Sequence, residues 1–407
     1  MTARGRGRVV RREGEQVTPL ELFFDLVMVL AITQCSTLME SEPPWRGLAR
    51  GVLALAVLWW TWVGYAWLTS VVDPEEGTVR LAMFAAMAAL LVMTLCIPQA
   101  FGDLALAFAL GYAVVSGAHI WLFTLASRDD PELRRSVLSL AAGMFTSVAL
   151  LVASSFVDAP LRPILWVLAI AISVGGPFFF GERGWKLVPG HFAERHGLIV
   201  IIALGESIVA IGVGASDGVT AAVVTTAVLG VLLAATLWWA YFDVVSIATA
   251  RRLASLPPGP EQNAMARDAY SYLHFPMVAG IVLASFGLKE VILHPGEALH
   301  TTAALGLCGG LGLYLFGHVA FRWRIAGTIN RERLGVGVLL VALTGAAVAL
   351  PGWASLVVVL AVMVGIVGYE TVAWAETRDR VRHHPELAIH PDPDPPPGPV
   401  AGDGEVT

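Results

Sequence analysis

One carboxylate in the middle of a long apolar stretch is the side chain most suited to chemistry in this sequence. Glu206 lies in LIVIIALGESIVAIG, about ten residues, or roughly 15 Å of helix, from the nearest polar segment. Burying a carboxylate at that depth in a bilayer costs at least ~2.5 kcal/mol, so such groups commonly face a bundle interior and handle protons or substrates. We take Glu206, with Ser207 beside it, as a proton- or substrate-binding candidate. The alternative is a structural hydrogen bond to a neighbouring helix.

A second pair of acids opens the first apolar stretch. Glu21 and Asp25 are spaced i, i+4 and therefore share one helix face. Two like charges this close destabilise a helix unless a cation, a proton or a partner arginine intervenes. The alternative is that acids simply favour a helix N-terminus. Asp25 lies deeper and is the better candidate for a function.

The motif HFAERHG gathers four polar residues at the start of another apolar stretch: His191, Glu194, Arg195 and His196. His191 and Glu194 share a helix face, but His196 points about 140° away from His191. A zinc site would need ligands from elsewhere, so we predict no metal and no cofactor. The motif instead favours a contact between Glu194 and an arginine, or a gate formed by His191, Arg195 and His196.

Other ionisable residues lie inside or near apolar stretches. Asp243 and His274 are candidates for a proton relay with Glu206, although each alone is more often a satisfied contact between helices. Glu370, His119 and His318 have similar positions. The sequence holds no nucleophile–base signature, P-loop or dinucleotide fingerprint, so we predict no catalytic residue.

Composition indicates what surrounds these residues. Of 407 residues, 56% are hydrophobic and 14% are charged, whereas soluble domains carry roughly a quarter charged residues. The net charge is -6 and no basic stripe is present, which excludes a nucleic-acid partner. The predicted partner is the lipid bilayer, together with a small solute or ion. The number of subunits is left open.

Runs of apolar residues predict an all-α membrane protein with about twelve spans, each long enough to cross a core of roughly 30 Å. The predicted spans are 20–39, 47–71, 79–98, 103–126, 134–156, 161–180, 196–215, 220–249, 266–288, 299–321, 334–350 and 353–374. The predicted organisation is a basic cytoplasmic N-terminus (1–19), two six-helix halves (20–180 and 181–376) and a disordered cytoplasmic tail (377–407).

The distribution of basic residues predicts the orientation. If the chain starts in the cytoplasm and the spans alternate, all but four of the 26 Lys and Arg residues lie on the cytoplasmic side. The positive-inside rule favours this arrangement. We therefore predict a plasma-membrane protein with both termini cytoplasmic.

The two halves contain similar segments in the same order. LVMVLAITQ at 26–34 aligns with LIVIIALGE at 198–206, which places Gln34 opposite Glu206, and LWWTWV at 58–63 matches LWWAYF at 237–242. The alternative is chance similarity among apolar segments. We favour a duplication. Because six spans is an even number, the repeat would be parallel, as in some transporter folds.

Two longer motifs extend these matches into a family resemblance. VTPLELFFDLVMVLAITQ and HFAERHGLIVIIALGESIVAIG resemble the bacterial low temperature requirement A (LtrA) membrane family, and the likeness continues to about Glu376. The matching motif residues are Glu21, Phe23, Phe24, Asp25, Gln34, His191, Glu194, Arg195, Gly205, Glu206 and Ser207. The chain has Thr37 where the family often has a His, so no imidazole role carries over there. The resemblance implies a multi-pass membrane protein linked by name to growth in the cold.

Three functions remain open at the level of sequence. The leading hypothesis is a proton-coupled transporter or permease that moves a small solute or ion past Glu206, with Asp25 and Glu194 at the cytoplasmic mouth. The second is an intramembrane enzyme that acts on lipid. The third is a sensor or scaffold that responds to the state of the bilayer, which only the family name suggests.

Overall fold

The computed structural model describes residues 12, 14–41, 43–75, 77–179, 184–215 and 218–383, and these residues are almost entirely helical. Most of the predicted basic segment 1–19 and residues 384–407 of the predicted tail lie outside the described residues. The prediction of an all-α membrane protein is confirmed, because 11 helices in the described part of the chain are long and apolar enough to cross a bilayer.

The first group of helices covers the predicted first half. It contains α1 (Pro19–Met39), α2 (Pro44–Val71), α3 (Gly77–Cys96), α4 (Ala105–Ala126), α5 (Pro131–Ser154) and α6 (Leu161–Phe179). Side-chain caps fix the residue at which several of these helices begin. The Thr18 hydroxyl caps α1 while Glu21 bonds back to it, and Asp130 caps α5 just before Pro131. Side-chain caps of this kind satisfy backbone N–H groups that the first helical turn leaves unpaired.

The second group has more interruptions. It contains α7 (Pro189–Gly214), α8 (Ala221–Phe242), α9 (Val245–Ser255), α10 (Pro260–Met265), α11 (His274–Leu293), α12 (Thr301–Ala304), α13 (Gly310–Ala326), α14 (Arg331–Ala347), α15 (Gly352–Ala373) and α16 (Ala375–His383). Two π-helical turns, Ala266–Tyr272 and Leu305–Gly309, join α10 to α11 and α12 to α13. The first precedes Pro276, whose missing N–H already prevents a regular helical bond at this level.

Helix α16 differs from the sequence expectation. Residues 377–383 were assigned to the disordered tail, yet they belong to α16. Arg378 and Arg382 of this helix pair with Asp243 at the end of α8. This ion pairing supplies the tertiary contact that the polar composition of the segment did not predict.

Helix packing follows the same order in the two groups. In the first group α1 packs on α2 and α3, α4 on α3 and α5, and α6 on α2 and α5. In the second group α7 packs on α8 and α11, α13 on α11 and α14, and α15 on α8 and α14. The two groups meet where α1 contacts α7 and α11, and where α2 contacts α7 and α11.

Helix α14 explains the difference between the predicted twelve spans and the 11 helices that are long enough to cross. It has 17 residues, which is about 25 Å of helix and the lower limit for a span. Arg333 near its start pairs with Glu370, whereas Gly352, which follows it, donates to the carbonyl of Glu297 beyond the end of α11. The count of twelve stays a prediction.

Large apolar side chains cover the outside of the bundle, as a bilayer environment requires. Leu81 of α3, Val228 of α8 and Val338 of α14 are all exposed, and such a continuous apolar surface would be unfavourable in water. We call the face at which α1, α7 and α14 begin the inner face, since the sequence predicts that it meets the cytoplasm.

Candidate functional site

Glu21 is the centre of a buried charge cluster at the inner face. One carboxylate oxygen accepts from the backbone N–H of Thr18 at 2.9 Å and from Arg12 Nη2 at 2.6 Å. The other oxygen lies 2.8 Å from His191 Nε2. Glu21 is fully buried. Glu21 therefore caps the start of α1, which is the role expected of an acid at a helix N-terminus. It also forms an ion pair with Arg12.

His191 joins three helices. Because its Nε2–H donates to Glu21, its Nδ1 accepts from the Ser70 hydroxyl at 3.1 Å. Glu21 belongs to α1, Ser70 to the end of α2 and His191 to the start of α7. The imidazole thus ties the first group of helices to the second at the inner face.

Asp25 and Arg195 form the second contact across the two groups. Arg195 Nη2 donates to Asp25 Oδ1 at 3.1 Å, and Trp62 Nε1 donates to the same oxygen at 2.9 Å. Arg195 Nη1 lies 3.9 Å from Glu21 Oε1. The side chains of Arg195 and Asp25 are buried, at 1% and 3% exposed. The two acids on one helix face are thus compensated by arginines, which is one of the alternatives that their spacing left open.

We call Arg12, Glu21, Asp25, His191 and Arg195 the inner cluster. Two guanidinium groups offset two carboxylates within it. The cluster is nevertheless incompletely satisfied: within the described residues, Asp25 Oδ2, Arg195 Nε and Arg195 Nη1 have no hydrogen-bond partner. A buried polar atom without a partner costs about 1–3 kcal/mol. Such atoms usually have an ordered water molecule or another polar group as partner, and the inner cluster can offer hydrogen bonds at these three atoms.

Glu206 lies further along the same interface between α1 and α7. It is 3% exposed and accepts from the Thr33 hydroxyl of α1 at 2.7 Å. Thr33 follows Asp25 by eight residues, about 12 Å along the helix. Ser207, next to Glu206, bonds Ser285 of α11 at 2.7 Å. Gln34 is half-buried on α1, and the bond to Glu206 comes from Thr33 rather than from Gln34.

His196, a predicted gate residue, and His274, a predicted relay residue, both lie in a buried aromatic core. His196 donates from Nδ1 to the carbonyl of Phe192 at 2.8 Å, which leaves Nε2 as an acceptor. His274 donates from Nδ1 to the carbonyl of Ala269 at 3.1 Å and accepts from the Tyr241 hydroxyl at 2.8 Å. The two imidazole rings lie 5.2 Å apart, and His196 lies 5.0 Å from the Trp62 indole. This core borders the inner cluster through Trp62.

Glu194 and Asp243 do not join the interior residues. Glu194 is exposed and accepts from the backbone N–H of Val17 at 3.1 Å. Within the described residues, the arginine contacts at this site are made by Glu21 and Asp25, and an arginine contact of Glu194 stays a prediction. Asp243 accepts from Arg378 Nε at 2.5 Å near the inner face, and this carboxylate raises the pKa of Arg378. The predicted relay that links Asp243, His274 and Glu206 is not one continuous chain of bonds among the described residues.

Arg333 forms an ion pair that the sequence did not reveal. It is 8% exposed and donates to both carboxylate oxygens of Glu370, at 2.8 and 2.7 Å. It also donates from Nη1 to His318 Nδ1 at 2.8 Å and from Nη2 to the carbonyl of Ala240 at 3.1 Å. In the sequence Arg333 is one of the many basic residues on the predicted cytoplasmic side. Its position three residues after the cap Asn330 was the available signal that it enters a helix.

Three tryptophan side chains of α2 donate hydrogen bonds in the interior. Trp62 donates to Asp25, and Trp59 and Trp67 donate to the backbone carbonyl and the hydroxyl of Ser271, at 2.8 and 3.0 Å. Ser271 belongs to the first π-helical turn. These bonds fix α2 against the second group of helices. Composition gives no sign of which indole finds a partner.

A lateral cavity of about 110 Å³ lies apart from both acidic sites. It is bounded by α2, α4, α5, α6, the segment before α7 and the first π-helical turn, and includes Trp60, Trp67, His119, Ser173, Trp185 and Arg267 among its lining residues. Glu206, Asp25 and His274 are not among the described residues that line it. The predicted site residues therefore separate into the inner cluster, the Glu206 contact and the aromatic core.

Comparison with known proteins assigns the chain to a protein family. Residues 16–368 match the family model described as bacterial low temperature requirement A protein (LtrA). The chain is also 30% identical over 312 residues to the uncharacterized protein RA0937 of Rhizobium meliloti (strain 1021), with 73% of this chain and 75% of the relative covered. The chain therefore belongs to the LtrA family, which confirms the resemblance and its multi-pass membrane character.

Proposed function

We propose that this LtrA protein is a proton-coupled transporter that moves a small solute or ion across the plasma membrane, with both termini in the cytoplasm. The observation that carries the proposal is the inner cluster, in which buried charges from α1 and α7 meet between the two groups of helices. Ionisable groups inside a membrane are expensive and commonly mark ion or proton pathways.

The arrangement of helices supports the same function. The main helices of each group pack in the same order, and α1 contacts α7 beside the inner cluster. We infer that the groups are a parallel repeat, which transporter folds often contain, with sites at the repeat interface. A relative movement of the two groups would then open or close the space around Asp25 and Arg195.

The ion pair between Asp25 and Arg195 is suited to an exchange in which an anionic group of a solute replaces Asp25. Arg195 reaches Asp25 through a single nitrogen, whereas a guanidinium can bind a carboxylate through two parallel bonds. A proton on Asp25 would remove the charge that holds Arg195 in place. Arg195 would then be available to an anionic group of a solute, while Glu21 remains held by Arg12 and His191.

Glu206 provides a second proton-binding position on the same interface. Its carboxylate has the Thr33 hydroxyl as a neutral partner, and Lys289, a cation that acts on it, is itself paired with Glu40 at 2.6 Å. A carboxylate without a direct cationic partner accepts a proton more readily than one in an ion pair. Asp25 and Glu206 would therefore bind protons at two depths of one pathway.

Everted membrane vesicles test this proposal. Respiration acidifies the vesicle interior, and a pH-sensitive dye reports each loss of the gradient when monovalent cations, amino acids or sugars are added one at a time. We expect at least one addition to dissipate the gradient in vesicles with the wild-type protein and not in empty vesicles. Asp25→Asn and Glu206→Gln should each abolish this response. Glu132→Gln is the control, because Glu132 is exposed at the start of α5 and has no place in the proposed pathway.

Equal responses of the wild type, Asp25→Asn and Glu206→Gln would reject proton coupling at these residues. The enzyme hypothesis finds less support in the geometry. The buried carboxylate–histidine pair, Glu21 and His191, is fully engaged with Arg12 and Ser70, and neither residue of the pair lines the lateral cavity.

A further inference from the structure

We propose that the lateral cavity of the first group of helices binds one small neutral phenol, whose hydroxyl group donates a hydrogen bond to His119 Nδ1. The site is separate from the proposed transport pathway, because neither the inner cluster nor Glu206 contributes a residue to the described lining of the cavity. An unpaired nitrogen of His119, the aromatic wall beside it and the size of the cavity support this assignment.

His119 presents a buried acceptor to the cavity that it lines. Its Nε2 lies 2.9 Å from the carbonyl oxygen of Gly64 on α2, and since a carbonyl only accepts, Nε2 carries the proton and donates. The other nitrogen of a neutral imidazole is then an acceptor. Within the described residues Nδ1 has no hydrogen-bond partner, although His119 is only 7% exposed. A buried acceptor in this state is unfavourable until a further group donates to it.

The position of the imidazole ring keeps Nδ1 free of competing bonds. The Nε2 end of the ring is turned to Gly64, where a Cβ atom would lie 3.1 Å from Nε2. The ring centre lies 5.4 Å from that of Tyr65 and 4.9 Å from that of Phe123. A ligand hydroxyl at Nδ1 would therefore displace no existing hydrogen bond of His119, and the bond to Gly64 would remain.

His318 shows what a nitrogen at this position accepts in the second group of helices. In the proposed repeat, His119 of α4 corresponds to His318 of α13, in the segments GAHI at 117–120 and FGHV at 316–319. His318 is also buried, and its Nδ1 accepts from Arg333 Nη1 at 2.8 Å. None of the described residues donates to His119 Nδ1. The second group thus fills the position with its own donor, whereas the first group leaves it to a ligand.

Aromatic side chains form a continuous wall that ends at His119. Trp67 packs edge-on against Trp185, with the ring centres 5.6 Å apart. Phe123 makes similar edge contacts with Trp185 at 5.1 Å and with His119 at 4.9 Å. All four side chains line the cavity. Aromatic rings prefer edge-to-face or offset contacts with other rings, so this wall favours a flat aromatic ligand over an aliphatic chain.

The size and charge of the cavity favour one small neutral molecule. Its volume is about 110 Å³, and an engineered apolar cavity of roughly 150 Å³ takes up one benzene molecule. The two volumes are of the same order, so we assign a single-ring ligand. Arg267, the charged residue among the described lining residues, is paired with Asp268 at 2.6 Å. No carboxylate lines the described part of the cavity, so a cationic ligand or a protonated His119 would have no counter-ion there.

Fluorine NMR with two probes of the same shape tests the proposal. The probe para-fluorophenol carries the hydroxyl donor, and para-fluorotoluene has a methyl group in its place. The protein is reconstituted in lipid nanodiscs, and empty nanodiscs of the same lipid measure partitioning into the bilayer. We expect saturable binding of para-fluorophenol at one site per chain. Its affinity should be about five-fold higher than that of para-fluorotoluene, because one hydrogen bond is gained.

Two pairs of variants separate the hydrogen bond from the cavity itself. His119→Leu removes the acceptor and should abolish the preference for para-fluorophenol, while both probes still bind and so show that the variant is folded. Thr124→Val, on the same helix but outside the described lining, should keep the preference. Ser173→Leu narrows the cavity from α6 and should abolish saturable binding of both probes. Ala171→Leu, at an exposed position of the same helix, should bind both probes as the wild type does.

Absence of saturable para-fluorophenol binding to the wild type would overturn the proposal. Binding that Ser173→Leu leaves intact would also overturn it, since the site would then lie outside the cavity. Equal affinities of the two probes for the wild type, or a preference that survives His119→Leu, would show that Nδ1 is not the acceptor. None of these results bears on gradient dissipation by Asp25→Asn or Glu206→Gln, so the two proposals fail separately.

Discussion

Asp25 has an uneven set of partners, and this unevenness is the main feature of the inner cluster at the scale of single residues. Trp62 and Arg195 both donate to Oδ1, at 2.9 and 3.1 Å, while Oδ2 has no partner in the described part of the chain. A carboxylate held at one oxygen can rotate or accept a proton at the other. Glu21 differs, since both of its oxygens are bonded.

Replacing Arg195 should test whether Asp25 depends on it for charge compensation. Arg195→Met leaves a buried carboxylate without its closest cation, and we expect a loss of about 3–5 kcal/mol in stability. The melting temperature of the purified protein, followed by fluorescence-detected size exclusion, measures the change. The double variant Arg195→Met/Asp25→Asn should recover part of the loss, because the isolated charge is then absent.

The exposed residue Arg135 provides the control for this measurement, and Arg135→Met should melt as the wild type does. If Arg195→Met and the double variant were to melt at the same temperature, Asp25 and Arg195 would be energetically independent, despite the 3.1 Å that separates their nearest polar atoms.

At the scale of elements, glycine lets α11 and α13 approach each other closely. A Cβ atom on Gly280 would lie 2.6 Å from the carbonyl oxygen of Gly310 and 2.6 Å from the backbone nitrogen of Tyr314. Towards α12, which precedes α13, a Cβ atom on Gly287 would lie 2.5 Å from the carbonyl oxygen of Ala303. These are contacts with backbone, which cannot move aside as a flexible side chain can. Small residues at such contacts are typical of helix packing in membranes.

Gly280→Ala should therefore separate α11 from α13 and destabilise the second group of helices. Overpacking of a close contact costs about 1–3 kcal/mol, which a lower melting temperature in detergent would report. Gly205→Ala is the matched control, since a Cβ atom on Gly205 meets no atom within 4 Å. An unchanged melting temperature for Gly280→Ala would show that the helices accommodate the extra methyl group without cost.

At the scale of the whole molecule, the two groups of helices carry different features. The inner cluster lies between the groups, whereas the lateral cavity is enclosed mainly by the first group. The second group contains the hydrogen bond between Tyr241 and His274 and the ion pair of Arg333 with Glu370. A movement of one group against the other would change the inner cluster most directly.

Labelling of single cysteines should establish the orientation and the course of α14. Cysteines introduced at Asp129 and Thr328 should react with a membrane-impermeant maleimide only in permeabilised cells, while those at Asp158 and Ala349 should react in intact cells. All four positions are exposed, and the native Cys35, Cys96 and Cys308 are buried. Replacing those three by alanine or serine gives the background protein.

Thr328 and Ala349 flank α14 and so decide the number of spans. Reaction of both from the same side would show that α14 does not cross, and the parallel repeat would then lose its equal halves. Reaction of Asp129 in intact cells would instead reverse the predicted orientation.

The sequence by itself determined the membrane class, the approximate place of the spans and the family, because these depend on local composition and on contiguous motifs. It also singled out Glu21 and Asp25, since two acids one helical turn apart require compensation. Only the tertiary structure decided that Arg12, His191 and Arg195 provide it, that Glu206 bonds Thr33, and that the lateral cavity lies elsewhere. Partners that are distant in the chain are chosen by helix packing, and an apolar helix gives little sign of which face will meet which neighbour.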